Sequence, residues 1–489
     1  MMSDNLNILF ISSEVAPYAK SGGLADVSGA LPKYLKAKGA NVKVILPLYS
    51  KINREKYHIE PMFKGSCVKM GNCEEFYSVH HTDYPTGVDV YFIEFNKYFD
   101  RDGFYNDAGG EYKDNAFRYA FLSRASLQLA KDLNFKPDIV HVQDWQTCFV
   151  PYYLKTMNDD FFKNTKSVLT IHNIGYQGIF EPDVLDYAGI SPYDFNSDAF
   201  EGFGKTNLIK AGIRYADKIN TVSPTYAREI MGPVGSNGMD RYLNARYNDV
   251  SGIINGIDLD AWNPKTDKAL VKNYDTNSFK EGKLANKKAI QKKLYLYEDG
   301  NPPLLSFIAR FADQKGIHML AQTVERIMDN MYCQIAIIGS GEKWAESFFG
   351  NLRFKYPYRF GAYIGYSEDM AHLLEAGSDI FLMPSIYEPC GLNQMYSQIY
   401  GTLPVVRATG GLDDTVVNYD ERNGTGTGFK FWEIGADPFY YTVGWAVSTY
   451  FDRRDHFDNM IREAMKQDYS WDSSTNKYLQ LYKQALDKK

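Results

Sequence analysis

The sequence predicts an α/β protein with two Rossmann-like halves. Short apolar runs rich in β-branched residues alternate with helical patterns along the whole chain, as in doubly wound sheets. The length of 489 residues exceeds what one hydrophobic core usually organises, which favours two domains. The predicted strands lie at residues 7–11, 41–46, 138–142, 167–171, 304–308, 334–339, 379–383 and 404–406.

A turn-rich segment separates the two series of strands. It starts at Gly252, and a Lys- and Asn-rich stretch with further turn signals follows it. We place the hinge near residue 256 and expect a cleft between the two halves. The predicted domains are residues 1–255 and 256–470. Residues 471–489 are predicted as a closing helix, because the periodic pattern there has no Gly or Pro. We expect this helix to pack back on the first domain.

Composition excludes several classes of function. The net charge is −6 with no long basic run, so we expect no nucleic-acid partner. No stretch reaches the roughly 18 apolar residues of a membrane span, and the N-terminal apolar run predicts a strand rather than a signal peptide. The odd cysteine count without a CxxC pair indicates free thiols, no structural zinc and a cytoplasmic protein. The five cysteines are Cys67, Cys73, Cys148, Cys333 and Cys390.

A glycine pair follows the first predicted strand. The loop Lys20-Ser21-Gly22-Gly23 precedes a helical pattern of apolar residues. Backbone N–H groups at such a junction can approach a phosphate, and a lysine adds a full positive charge. The loop matches neither common phosphate-binding motif, so a tight turn with a solvated lysine is the alternative.

Three loops of the second half follow successive predicted strands. Arg310 and Lys315 lie in the first of these loops, where a strand end opens onto a crevice. Arginine grips a diphosphate with two bonds, whereas lysine acts as a point charge. The other two loops are residues 387–394 and 409–412. Together they predict a site for an anionic ligand at this edge of the sheet.

An ordered set of segments resembles the bacterial and plant-type glycogen and starch synthases over nearly the whole chain. The resemblance implies the GT-B architecture, with two Rossmann-like domains facing across a deep cleft. It also implies transfer of glucose from a nucleoside diphosphate, usually ADP, to the non-reducing end of an α-1,4-glucan with retention of configuration. The segments are KSGGLADV, VQDWQT, TIHNIGYQG, INGID with WNP, ARFADQKG, IGY and YEPCGLNQMYSQIYGTLPVVRATGGL.

The family's roles carry over onto matching positions. The resemblance implies that Lys20, Arg310 and Lys315 bind the donor diphosphate and stabilise the charge of the departing nucleotide. Glu388 would hold the glucose 3-hydroxyl; as an alternative or in addition, it would be a carboxylate at a helix N-terminus. His172 would lie near the anomeric carbon. The remaining implied catalytic residue is Asp144, and the implied substrate-binding residues are Lys20, Ser21, Gly22, Gly23, Asn173, Asn255, Tyr366, Cys390, Gly391, Leu392, Thr409, Gly410 and Tyr105.

We expect neither a metal nor another cofactor. Fixed cations can replace the divalent metal of other glycosyltransferases, and we interpret the D-x-D string at Asp258 as structural. The expected partners are ADP-glucose, or UDP-glucose as the alternative donor, and glycogen or another α-1,4-glucan. The sequence leaves the oligomeric state open.

The reaction path and three other functions stay open. Front-face attack is the family's usual mechanism, and double displacement is the alternative. Gln143 and Gln146 stand where relatives often carry His, and some relatives carry Thr where Asn393 stands; these changes bear on the acceptor side. A sugar-nucleotide epimerase, a glucan phosphorylase and a non-catalytic glucan-binding protein of the same fold are the other candidates.

Overall fold

The computed structural model of the protein describes residues 6–488, which fold into two compact units. The first unit runs to Val222 and also contains Ala227–Ile253 and the chain from Trp471 onward. The second unit contains Ser223–Tyr226 and Ile254–Ser470. Both units have a mainly parallel sheet with helices, which is the mixed α/β class that the sequence predicts.

The described strands of the first unit include the four predicted apolar runs and ten further strands. They are β1 (Asn7–Ile11), β2 (Asn41–Pro47), β3 (Glu60–Met70), β4 (Cys73–Thr82), β5 (Asp89–Glu94), β6 (Asn106–Asp107), β7 (Gly110–Glu111), β8 (Ile139–Gln143), β9 (Lys166–Ile171), β10 (Ile179–Phe180), β11 (Glu201–Gly202), β12 (Lys205–Asn207), β13 (Lys218–Thr221) and β14 (Val250–Gly252). The main sheet has the order β14-β13-β9-β8-β1-β2-β5-β4-β3, and its pairs are parallel except for β5-β4 and β4-β3.

The second unit has one parallel sheet among its described strands. These strands are β15 (Leu304–Ile308), β16 (Gln334–Gly339), β17 (Phe360–Ile364), β18 (Ile380–Met383), β19 (Leu403–Arg407) and β20 (Phe429–Phe431). Their order is β17-β16-β15-β18-β19-β20. The order reverses direction beside β15, so the loops after β15 and β18 flank the topological switch point where ligands bind in such sheets.

Helices cover the sheets, and short 3₁₀ turns lie between them. The helices are α1 (Gly23–Ala37), α2 (Asn96–Phe99), α3 (Asn115–Asp132), α4 (Phe149–Thr156), α5 (Val184–Ala188), α6 (Leu208–Tyr215), α7 (Pro224–Met231), α8 (Asp240–Asn244), α9 (Phe279–Lys293), α10 (Ile317–Asn330), α11 (Lys343–Lys355), α12 (Glu368–Gly377), α13 (Asn393–Ile399), α14 (Gly410–Thr415), α15 (Ala436–Asp452), α16 (Arg454–Ala464) and α17 (Trp471–Leu486). None of those within residues 6–488 has the length and apolar character that a membrane span requires.

The apolar periodicity explains where the first and last helices lie. The apolar residues of α1, including Leu24, Val27 and Leu31, are buried, so the predicted helix is confirmed. The predicted closing helix is α17, which belongs to the first unit. The hydroxyl of Tyr482 on α17 lies 2.8 Å from Nδ1 of His141 in the middle of β8.

Candidate active site

A buried carboxylate holds the glycine loop that follows β1. The Glu14 side chain accepts a hydrogen bond from the backbone N–H of Ser21 at 2.5 Å and another from the Ser21 hydroxyl at 2.7 Å. Glu14 is only 3% exposed. Because two acceptor oxygens bind both donors of one residue, the carboxylate fixes the position and orientation of the loop just before α1.

The glycine pair of this loop faces open space. A Cβ atom added to Gly22 or Gly23 would meet no atom of the described residues within 4 Å. The backbone of Gly22 is extended, with φ −156°, so neither packing nor backbone conformation requires glycine there. Lys20 is half exposed and pairs with Asp26 in the first turn of α1 at 2.6 Å. The loop therefore leaves its backbone accessible to a ligand.

Tyr105 belongs to the same hydrogen-bonded group. Its hydroxyl donates to Glu14 at 2.6 Å and lies 2.8 Å from the hydroxyl of Ser13. Burial raises the pKa of Tyr105 well above its usual range. The structure thus connects Tyr105 to Ser21 through Glu14, although the two residues are far apart in sequence.

Asp144 lies directly after β8 and braces the loop that follows β9. Its carboxylate accepts a hydrogen bond from the backbone N–H of His172 at 2.7 Å. Burial raises the pKa of Asp144 to about 7, although the backbone N–H groups of His172 and Asn173 act in the opposite direction. The residue has φ +50°, a conformation that is uncommon outside glycine. Such strain persists where surrounding contacts determine the geometry.

The His172 ring is neutral and oriented. Burial lowers its pKa to about 3, so the ring carries no charge near neutral pH. Its Nε2 atom lies 2.9 Å from the side-chain oxygen of Gln143. Because an amide oxygen only accepts, Nε2 carries the proton and Nδ1 keeps a lone pair. Beside it, the side chain of Asn173 accepts the N–H of Gly175 at 2.9 Å and closes a tight turn.

An ion pair lies at the carboxyl edge of the sheet in the second unit. The Lys315 ammonium contacts the Glu388 carboxylate at 2.6 Å, and the Ser385 hydroxyl donates to the same oxygen at 3.1 Å. Glu388 is buried and lies five residues before α13, so the predicted location at a helix N-terminus is wrong. The loop after β18 turns back before α13 begins, and its carboxylate pairs with a cation instead.

Close backbone contacts join the predicted loops of the second unit. Gly410 has φ +46°, and a Cβ there would lie 2.0 Å from the carbonyl oxygen of Glu388. Gly411 donates its N–H to that oxygen at 3.1 Å. A Cβ on Gly316, which ends the Lys315 loop, would lie 2.0 Å from the carbonyl oxygen of Pro384. These positions therefore need glycine, and their close contacts hold the loops around Lys315, Glu388 and Gly410 against one another.

Asn255 and Cys390 lie side by side in the same unit. The Asn255 backbone N–H bonds to the Cys390 thiol, and burial raises the pKa of that thiol to about 12. A thiol that stays protonated is a poor nucleophile. The side-chain oxygen of Asn255 is buried and has no hydrogen-bond partner among residues 6–488. A buried acceptor without a donor is rare in folded proteins, so this atom suits a ligand hydroxyl.

The remaining predicted residues of this unit occupy exposed loops or turns. Arg310 is exposed directly after β15, and Tyr366 is 71% exposed after β17. Gly391 has φ +73° and, with Leu392, forms the turn into α13. The Asp258 carboxylate accepts the backbone N–H of Asp260 at 2.9 Å, which agrees with a structural role. Within the described part of the chain, no group of three or more His, Cys, Asp or Glu residues suits a metal ion.

Comparison with known proteins identifies the family. The family model of the starch synthase catalytic domain matches residues 7–245, and the model of glycosyl transferases group 1 matches residues 288–431. Glycogen synthase 1 of Geobacter sulfurreducens is 44% identical over 488 residues, which cover 99% of this chain and 97% of that protein. Glycogen synthase of Treponema denticola is 40% identical, with 99% of both chains covered.

The chain belongs to the glycogen and starch synthase family. It is a glycosyltransferase with the GT-B architecture, as the sequence predicts. The catalytic domain of starch synthase IV from Arabidopsis thaliana, solved with ADP and acarbose, has a TM-score of 0.89 and 31% identity over 99% of this chain and all of that one. A sucrose-phosphate synthase from Thermosynechococcus elongatus shares the fold, with a TM-score of 0.60 and 15% identity over 98% of both chains.

Residues that the sequence-based set misses support those it contains. Glu14 holds Ser21 and Tyr105, Gln143 orients His172, and Ser385 binds Glu388. Glu14 is the most informative, because a carboxylate in the buried segment three residues after an apolar strand is unusual. That signal was present in the sequence, but its partner could not be read from it.

Proposed function

We propose that this glycogen synthase family member transfers glucose from ADP-glucose to the non-reducing end of an α-1,4-glucan with retention of configuration. One observation carries the choice of donor and acceptor classes. The starch synthase structure that this chain resembles over 99% of its length was solved with ADP and acarbose, a nucleotide and an oligosaccharide. Five free thiols in the described chain support a reducing compartment, and we place the reaction in the cytoplasm.

The donor diphosphate is the proposed ligand of the glycine loop and of two cations. The open backbone at Gly22 and Gly23 and the half-exposed Lys20 suit a phosphate that approaches α1. Arg310 and Lys315 supply further positive charge at the end of β15. Departure of ADP leaves negative charge on its β-phosphate, so fixed cations stabilise the transition state more than the ground state.

The glucosyl unit is the proposed ligand of Glu388 and Asn255. Lys315 contacts one carboxylate oxygen of Glu388, so the second oxygen is available as an acceptor for a sugar hydroxyl. The buried oxygen of Asn255 gains the donor that it lacks. Tyr366 is proposed to stack on the adenine, because its ring follows the carboxyl end of β17, is 71% exposed, and aromatic rings stack on one another.

His172 is proposed to act at the anomeric carbon, and Asp144 is proposed to position it. A neutral imidazole accepts a hydrogen bond from a sugar hydroxyl and does not repel the positive charge that develops in an oxocarbenium-like state. Asp144 acts through its bonds to the His172 backbone, which fix the position of this ring. We propose front-face attack, in which the donor phosphate helps to deprotonate the incoming 4-hydroxyl.

A labelled-donor assay tests the proposal. Purified protein receives glycogen with radiolabelled ADP-glucose or UDP-glucose, with and without EDTA, and label in the polymer is counted. We expect incorporation from ADP-glucose at a higher kcat/KM than from UDP-glucose, and no effect of EDTA. Equal or better use of UDP-glucose would overturn the choice of donor. Incorporation from neither donor would leave the second candidate, a glucan-binding protein without catalysis.

A further inference from the structure

The second unit carries exposed aromatic side chains at the edge of its sheet opposite the proposed donor site. Arg310 and Tyr366 follow the carboxyl ends of β15 and β17. The aromatic side chains lie around the amino ends of these strands. The length of β16, at about 3.3 Å per residue, puts the two edges of the sheet roughly 17 Å apart. We define the tyrosine platform as Tyr295, Tyr297, Tyr332, Tyr358 and Phe451, whose exposed fractions are 82%, 67%, 60%, 65% and 45%.

Two of these tyrosines occupy positions that favour glycine. Tyr295 follows the C-terminal cap residue of α9 and has φ +59°. The N–H of Tyr295 donates to the carbonyl oxygen of Lys292 at 3.3 Å, and the N–H of Leu296 donates to the carbonyl oxygen of Gln291 at 2.8 Å. This pair of bonds is the Schellman motif, whose left-handed residue is usually glycine. Tyrosine at this position strains the backbone and leaves an aromatic ring in water.

Tyr358 repeats the pattern in a second turn. It has φ +64° and follows Pro357, and the N–H of Arg359 bonds to the carbonyl of Tyr356 at 3.2 Å. Proline followed by a residue of positive φ is the arrangement of a type II turn, whose third residue is usually glycine. Neither turn gains packing from its tyrosine, because both rings are mostly exposed. Strain combined with exposure indicates a role outside the fold itself.

Buried amides hold the two tyrosine segments together from below. The N–H of Tyr297 bonds to the carbonyl of Tyr358 at 2.8 Å. The side chain of Gln334 donates to the Tyr297 carbonyl at 2.8 Å and accepts from the buried amide of Gln291 at 2.7 Å. Because Gln334 is 2% exposed and Gln291 fully buried, the platform is rigid before any ligand arrives.

Two members of the platform form a stacked aromatic pair. Tyr332 and Phe451 stack with ring centroids 6.0 Å apart and planes at 27°. The Tyr332 hydroxyl lies 3.5 Å from the Asp299 carboxylate in the loop that follows Tyr297. The surface therefore combines aromatic faces with hydroxyl groups at their rims. A sugar ring presents matching groups, an apolar face of C–H bonds with hydroxyls around it.

We infer that the tyrosine platform is a second glucan-binding site, where a long α-glucan is held away from the reaction. The inference rests on the proposed function, because a polymer substrate is what makes a remote site useful. A bound chain raises the effective concentration of its own free ends near the enzyme. A chain held at both places must extend around the sheet, so we expect the platform to act on glycogen and not on maltotetraose.

The test uses the double variant Tyr295→Gly/Tyr358→Gly. Glycine removes both rings and relieves the positive-φ strain, so the thermal midpoint should stay equal or rise. We expect glycogen affinity, measured without donor by affinity electrophoresis, to fall about tenfold. The KM for glycogen should rise, while kcat and KM with maltotetraose stay unchanged. Tyr193→Ala, which removes a 91% exposed tyrosine of the first unit, is the matched control and should change none of these values.

Unchanged glycogen affinity in the double variant would overturn the inference. If size-exclusion chromatography of that variant also shows a change of oligomeric state, the platform is a self-association surface instead. If the wild-type protein transfers no glucose from ADP-glucose to maltotetraose, the proposed function fails. The binding measurement without donor still shows whether the platform binds glycogen.

Discussion

Glu14 offers the sharpest test of how the donor site is built. In Glu14→Ala, the Ser21 N–H and hydroxyl and the Tyr105 hydroxyl all lose a buried acceptor. Each such loss costs about 1–3 kcal/mol if the geometry is kept, so the loop instead moves to satisfy its donors. If this movement of the loop removes about 1.4–2.8 kcal/mol of transition-state stabilisation, kcat/KM for ADP-glucose falls about 10- to 100-fold.

A matched substitution separates position from charge. Glu14→Gln retains an oxygen for the Ser21 N–H, and its amide can donate to the two hydroxyls. We therefore expect kcat/KM for ADP-glucose to stay within about threefold of wild type. Initial rates with radiolabelled ADP-glucose and glycogen, together with thermal unfolding of each variant, provide the comparison. A folded Glu14→Ala enzyme with unchanged kcat and a lower KM would refute the reasoning, because the carboxylate would then only repel phosphate.

Three further predictions concern other parts of the site. The pKa of Asp144 is raised to about 7, so between about pH 4 and pH 7 the folded protein keeps a proton that the unfolded protein releases. As the pH rises through this range, the free energy of unfolding should therefore fall by about 1.4 kcal/mol per pH unit because of this group. Asp144→Asn should remove this pH dependence when unfolding is measured by urea titration. Lys315→Ala leaves Glu388 buried without its cation and should lower the thermal midpoint. Adding Glu388→Gln to this variant should restore the thermal midpoint but not the activity; strictly additive losses of stability in the double variant would contradict this. Gly22→Ala should fold with a thermal midpoint near wild type but lose activity, whereas Gly410→Ala should unfold at a clearly lower temperature; the reverse order would be inconsistent with the space measured at each glycine.

Eight parallel strands and the helices α1 and α17 could be predicted because their signals are local. Continuous apolar runs identify buried parallel strands, and all eight predicted runs coincide with observed strands to within one or two residues. The strands β5, β13, β14, β17 and β20 were missed, as was the antiparallel pair β3 and β4. Exposed, half-buried and buried residues follow one another without regular alternation along β3, and register shifts flank Phe63, so no clean period of two appears in the sequence.

A site could be proposed from sequence where one segment carries the chemistry, but not where two segments must meet. The loops at Lys20 and Lys315 were proposed from a glycine pair or a cation after a strand. The contacts of Glu14 with Tyr105 join residues 91 positions apart, and their partnership depends on how two loops pack. Positive φ at Tyr295 is likewise invisible in sequence, because the residue type contradicts the turn that it occupies.

Product stereochemistry tests the central claim most directly. The protein is incubated with ADP-glucose and maltotetraose, and the new linkage is followed by proton NMR as it forms. We expect maltopentaose with a new α-1,4 bond at the non-reducing end, together with stoichiometric ADP. A β-linked product, or ADP release without any longer oligosaccharide, would contradict it.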